Sequence, residues 1–141
     1  MLNEILGAKA KFINRPYDGR TQAIPKCKSY DVVTSIAVLC HLSDPLQHLG
    51  FLGSIARKAI FIWAPVTDDD DYCIRFGEPN KYYKSDQFPL CFDNLTRPSA
   101  KLLRKSLELM GFTKIYEIPN QENGMPDSFY NVHKAILAIR P

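Results

Sequence analysis

The strongest constraint in this chain is a stretch from Tyr30 to Val66 that reads strand, helix, strand. Tyr30-Asp31-Val32-Val33-Thr34-Ser35-Ile36 is rich in β-branched residues, as strands are. Ser43-Asp44-Pro45 has the form of a helix start, a short polar cap followed by a proline in the first turn, where its missing N–H costs nothing. Leu46, Leu49, Leu52, Ile55 and Ala56 then recur at helical spacing. Arg57 and Lys58 are expected to close that helix at the end where its dipole favours cations. Ala59-Ile60-Phe61-Ile62-Trp63-Ala64 is an unbroken apolar run, which suits a strand buried on both faces of a parallel sheet. Two strands joined by a helix form a βαβ unit, and the rest of the chain is read outward from it.

Ala10-Lys11-Phe12-Ile13-Asn14 is a short expected strand, and Asp18-Gly19 marks a turn after it. A short helical turn is expected within residues 37–42. Gly50 and Gly53 fall inside the predicted helix, and each costs roughly 1 kcal/mol against alanine unless it permits close packing. Residues 67–98 carry Asp68-Asp69-Asp70-Asp71, several aromatics and three prolines without a sustained period, so they read as one long loop of the kind that serves as a lid or binding segment. Residues 99–110 form a second amphipathic helix, with Leu103, Leu107 and Met110 on one face and Leu102 and Leu109 beside them. Gly111 stops it and Phe112 can pack back. A strand over 113–118, a loop over 119–127 and a last apolar strand over 135–139 complete the order. Alternation of this kind argues for an α/β sheet.

Composition narrows the function. A chain of 141 residues is long enough for one domain that buries roughly 70% of its unfolded surface. A formal charge of +3 with no basic block gives no reason to expect nucleic acid. Cys27, Cys40, Cys73 and Cys91 form no CxxC and show no zinc spacing, which fits a reduced, cytoplasmic protein. The start Met1-Leu2-Asn3-Glu4-Ile5-Leu6 has no basic region of a secretory signal, and no apolar run reaches the ~18 residues of a membrane span. The four adjacent aspartates read as a solvated loop rather than a cation site, and no metal is expected.

Tyr30-Asp31-Val32-Val33, followed by Leu39-Cys40-His41-Leu42-Ser43-Asp44-Pro45, resembles the class I S-adenosylmethionine-dependent methyltransferases. In that family a [FY]D-x-[VI] strand leads into a "vL-x-HL-x-dP" segment, and an apolar strand like residues 59–65 follows. Leu109-Met110-Gly111-Phe112 is similar to the family's helix ending in GF before a closing strand pair. The resemblance runs from about Ala10 to Arg140 and covers the back half of the family's domain. It implies a Rossmann-like sheet, mostly parallel with an antiparallel final strand, built from elements resembling strands 3 to 7 of the order 3-2-1-4-5-7-6. Residues 1–141 are then expected to be a single, N-terminally truncated domain, with 67–98 as its substrate-side loop.

The resemblance also implies a site. S-adenosylmethionine would be the cofactor, with Asp18 at the adenine and Thr34, Ser35 and Ile36 lining its pocket at the end of the central strand. His41, Trp63, Tyr82 and Tyr83 would face a small-molecule acceptor, and no catalytic base is assigned. None of the seven glycines lies in the GxG turn through which the family holds its cofactor. A chain without that turn is expected to be inactive by itself. Three functions therefore stay open: methyl transfer to a small molecule, a non-catalytic domain that dimerises or binds partners without cofactor, and an unrelated α/β binding module. Without the family's first two strands, strand 30–36 would be an edge, covered by residues 10–14 or by a second copy in a homodimer.

Overall fold

The computed structural model describes residues 30–42, 44–76, 96–119 and 133–141. The expected strand at 10–14, Asp18, Ser43, Tyr82 and Tyr83 lie outside them. Strand β1 (Tyr30–Ile36) passes through a short 3-10 turn (Leu39–His41) into helix α1 (Pro45–Ile55) and strand β2 (Ala56–Pro65). Two short strands follow, β3 (Ile74–Phe76) and β4 (Thr96–Pro98), then helix α2 (Ala100–Leu109) and strands β5 (Lys114–Ile118) and β6 (His133–Ile139).

The main sheet has the order β1-β2-β6-β5. β1 and β2 pair in parallel, and β6 runs antiparallel to both β2 and β5. This is the expected succession of fourth, fifth, seventh and sixth strands, with the last strand inserted between its neighbours. Among the described residues no strand pairs with the other side of β1.

Side-chain alternation assigns the two faces of the sheet. In the register Val33↔Ile60 and Ser35↔Ile62, these side chains turn toward the helices. Ile60, Ile62, Ala64, Ile136 and Ala138 pack there with Leu49 and Leu52 of α1 and Leu103 and Leu107 of α2. On the other face, in the register Thr34↔Phe61 and Ile36↔Trp63, the β1 residues are exposed and the β2 residues half-buried.

Both helices start, and α2 stops, as their sequences dictate. The Asp44 carboxylate accepts from the Gln47 N–H at 2.9 Å, with Pro45 in the first turn. Ser99 caps α2 by accepting from the Leu102 N–H at 3.1 Å. At the other end Gly111 has φ +87°, its N–H donates to the Glu108 carbonyl, and the Phe112 N–H donates to the Leu107 carbonyl. This is the paired closure of a Schellman turn, and it buries Phe112 completely.

Several sequence expectations are corrected. α1 ends at Ile55, and Arg57 and Lys58 belong to β2 rather than to the helix end. The reason is tertiary: β2 extends back to pair Ala56 with Tyr30, and both cations reach Asp31 across the strands. The buried face of α1 is Pro45, His48, Leu49, Leu52, Gly53 and Ile55, while Leu46 is exposed. Leu109 is likewise 78% exposed. Gly53 packs against Met110, but Gly50 faces open space. The long loop is anchored by β3 and β4, which pair Ile74 with Pro98 and Phe76 with Thr96. β6 begins two residues earlier than expected, at His133, because Pro65 and Ala64 extend the ladder to it.

Candidate functional site at the carboxyl ends of the parallel strands

Open α/β sheets hold ligands outside the carboxyl ends of their parallel strands. Here that edge comprises the end of β1, the turn after it and the end of β2. Ala37, the first residue beyond β1, adopts φ +54° without being glycine, a conformation costing about 1–2 kcal/mol. It is held there by its N–H, which donates to the Trp63 carbonyl at 2.8 Å. The Cys40 thiol donates back to the Ala37 carbonyl at 3.5 Å, and burial pushes that thiol's pKa up. The Thr96 hydroxyl, fully buried, donates to the Leu42 carbonyl at 2.9 Å and ties β4 to this turn.

Of the residues expected to meet a cofactor, Thr34 and Ile36 stand on the open face, Ile36 at 58% exposure. Ser35 points the other way. Its Oγ lies 3.2 Å from Nε2 of buried His48, so only its main chain borders the strand end. Desolvation holds His48 neutral, with its pKa lowered to about 4. On the acceptor side His41 is exposed on the 3-10 turn. Trp63 is half-buried at the end of β2 and stacks on His133, with ring centroids 4.6 Å apart and an interplanar angle of 23°. The fold thus gathers Thr34, Ile36, Trp63 and His133 on one face.

Asp68, Asp70 and Asp71 are exposed, as expected of a solvated run, whereas the Asp69 carboxylate is tied down. Asp69 receives both Arg75 Nε and Nη2, and Arg75 with Thr67 holds its carboxyl well below the usual carboxylate range. Lys101 donates to the Asp70 carbonyl at 2.9 Å, and Ser99 donates to the Asp71 carbonyl. Among the described residues no group of three or more His, Cys, Asp or Glu is placed to hold a metal.

Sequence reasoning left His48, His133 and Arg97 without a role. His48 was within reach, because residues 45, 48, 49 and 52 share one helical stripe. His133 and Arg97 carry no local signal, because their neighbours come from strands distant in the chain.

No protein-family model and no curated protein matches this chain. Solved structures do. The N-terminal domain of EvdMO1 with SAH (S-adenosylhomocysteine) bound aligns with a TM-score of 0.64 at 16% identity, over 99% of this chain and 57% of that one. The same domain with SAH and D-fucose gives 0.63, also at 16% identity, over 99% of this chain and 58% of that one. The fold is that of the class I S-adenosylmethionine-dependent methyltransferases. A methyltransferase of Thermotoga maritima, described as a possible histamine N-methyltransferase, aligns at 0.50 and 14% identity over 99% of this chain and 69% of that one. This methyltransferase-like chain spans 58% or less of the EvdMO1 domain's length. No helix among its described residues is long and apolar enough to cross a membrane.

Proposed function

We propose that this chain is a methyltransferase-like domain that binds S-adenosylmethionine and serves methyl transfer to a small-molecule acceptor. The observation that carries this reading is the sheet order β1-β2-β6-β5 with β6 antiparallel, which leaves the carboxyl ends of β1 and β2 side by side. Two structures of one similar domain, both with SAH, support it.

The described residues fit the apolar part of such a cofactor. Ile36, exposed at 58%, and Val38, exposed at 36%, flank the strained Ala37 where β1 ends. Main-chain groups there can approach a ligand closely. The contact expected of Asp18 lies outside the described residues. S-adenosylmethionine would supply an electrophilic methyl group, so the protein's task is mainly to align the acceptor with it. Trp63, presented by β2 and backed by His133, offers a flat surface for an acceptor on the same face as Ile36. His41, exposed on the turn that follows β1, is the second residue assigned to the acceptor in this reading.

Titration calorimetry of S-adenosylhomocysteine into the full chain tests the proposal. Micromolar binding is the expected result. No heat at millimolar ligand would overturn it in favour of a domain without cofactor, consistent with the absence of a GxG turn from the sequence. The outer side of β1, which pairs with no strand among the described residues, supports the expected homodimer, which light scattering of the same sample checks.

A further inference from the structure

Arg97 occupies an unusual position in the β3–β4 ladder. It lies directly opposite Arg75, so two guanidinium side chains share one face of a two-stranded ribbon. Like charges in that relation repel. Arg75 is neutralised by Asp69, with Nη2 donating to Oδ1 at 2.6 Å. Arg97 has no such partner: among the described residues no carboxylate pairs with it, and its Nε is buried without a hydrogen-bond acceptor. A buried donor without an acceptor is rare and costly, and one on a permanently charged group more so.

The location gives this cation a purpose. Thr96, its neighbour on β4, fastens the strand to the Leu42 carbonyl, at the exit of the turn that follows β1. The guanidinium is close enough to Cys40, inside that turn, for its charge to favour the thiolate, although burial dominates and raises the thiol's pKa. Arg97 therefore stands beside the carboxyl end of β1, where an open α/β sheet receives its ligand.

The geometry points to Arg97 as an anion-binding residue of the ligand site, taking a carboxylate or other planar oxyanion carried by the acceptor through Nε and one Nη. This rests on the proposed acceptor site and narrows its substrate class to small molecules bearing a negative charge. A guanidinium fork matches a carboxylate in two parallel hydrogen bonds, and the buried Nε–H would gain the acceptor it lacks. No further rearrangement of the ladder is needed, because Asp69 already occupies Arg75.

The test uses benzoate and its uncharged counterpart benzamide as probes on the full chain, with the Arg Nε–H resonances followed by NMR and affinities taken from the titrations. Benzoate is expected to shift the Arg97 Nε–H signal and to bind at least about tenfold more tightly than benzamide. Arg97→Gln should weaken benzoate about thirtyfold or more, in line with loss of one member of a desolvated charge pair, and leave benzamide unchanged. Arg97→Lys, which keeps the charge but loses the fork, should fall between. Equal binding of the two probes, or unchanged benzoate affinity in Arg97→Gln with the native melting transition retained, overturns the assignment. Should Arg97→Gln fail to fold, the Nε–H shift in the native protein decides alone. S-adenosylhomocysteine titrated into the same samples separates the two ideas: benzoate binding through Arg97 without it would uphold the anion site and refute the methyltransferase reading.

Discussion

The Arg140 guanidinium lies over the Phe112 ring, 4.3 Å from its centroid. From there Nη1 donates to the Ala56 carbonyl at 2.6 Å, and Nη2 donates to the carbonyls of Gly53 at 3.2 Å and Met110 at 2.8 Å. One side chain from the end of β6 thus closes the C-terminal ends of both helices, where carbonyls lack helical partners and the dipole favours a cation. Arg140→Ala should destabilise the protein by about 2–4 kcal/mol, read from urea unfolding. Arg140→Lys should recover only part, because one ammonium cannot span the same three acceptors and stack as well.

The two glycines of α1 should respond to alanine in opposite ways. At Gly50 nothing lies within 4 Å of the place an alanine methyl would take, so Gly50→Ala should stabilise by about 0.5–1 kcal/mol through helix propensity. A methyl on Gly53 would collide with the Met110 thioether, which packs against the core and would have to shift. Gly53→Ala should therefore be destabilising by about 1–2 kcal/mol despite the same gain in propensity. Thermal melts of the two variants side by side decide this.

His48 makes stability depend on pH. Its folded pKa of about 4 lies below the ordinary value of 6.5, so the unfolded chain binds the proton first as pH falls. Between those values the unfolded state holds more protons, and stability must decline on acidification. The contribution is fully present above pH 6.5 and lost progressively down to about pH 4, a change of about 3 kcal/mol. Urea midpoints measured across that range should fall for the native chain and fall less for His48→Gln. A pH-independent midpoint would contradict the buried, neutral imidazole.

Ser99 joins two elements. Its hydroxyl caps α2 at Leu102, donates to the Asp71 carbonyl and lies 3.5 Å from the Cys73 N–H, all with no exposure of its own. Ser99→Ala should cost about 1–2 kcal/mol, and hydrogen exchange should quicken at Cys73 as well as in the first turn of α2. Faster exchange confined to the helix would mean that the hydroxyl does not hold residues 71–73.

The βαβ unit, both helix starts, the Gly111 stop and the strand sequence of an α/β sheet were legible in the chain, because each rests on local chemistry. β-branched residues favour extended backbone, Asp44 and Ser99 cap through their own carboxylate or hydroxyl oxygens, and glycine alone enters the left-handed region freely. The place where α1 gives way to β2 was not legible. Arg57 and Lys58 suit a helix end, and only pairing with β1 and Asp31 draws them into the strand. The β3–β4 ladder escaped notice for a similar reason: three residues on either side of a long segment carry too short a pattern to mark a strand.

The candidate site divides in the same way. The sequence by itself determined the strand end at Thr34, Ser35 and Ile36 and placed Trp63 at the end of the next strand, because strand propensity and apolar runs mark where those elements stop. Only the tertiary structure decided that Ser35 turns inward to His48, that His133 backs the Trp63 indole, and that Arg97 faces Arg75 with its Nε buried and unmatched. These relations join residues 13 to about 70 positions apart. They depend on register across strands and on which side of the sheet a helix covers, quantities that no local pattern of residues encodes.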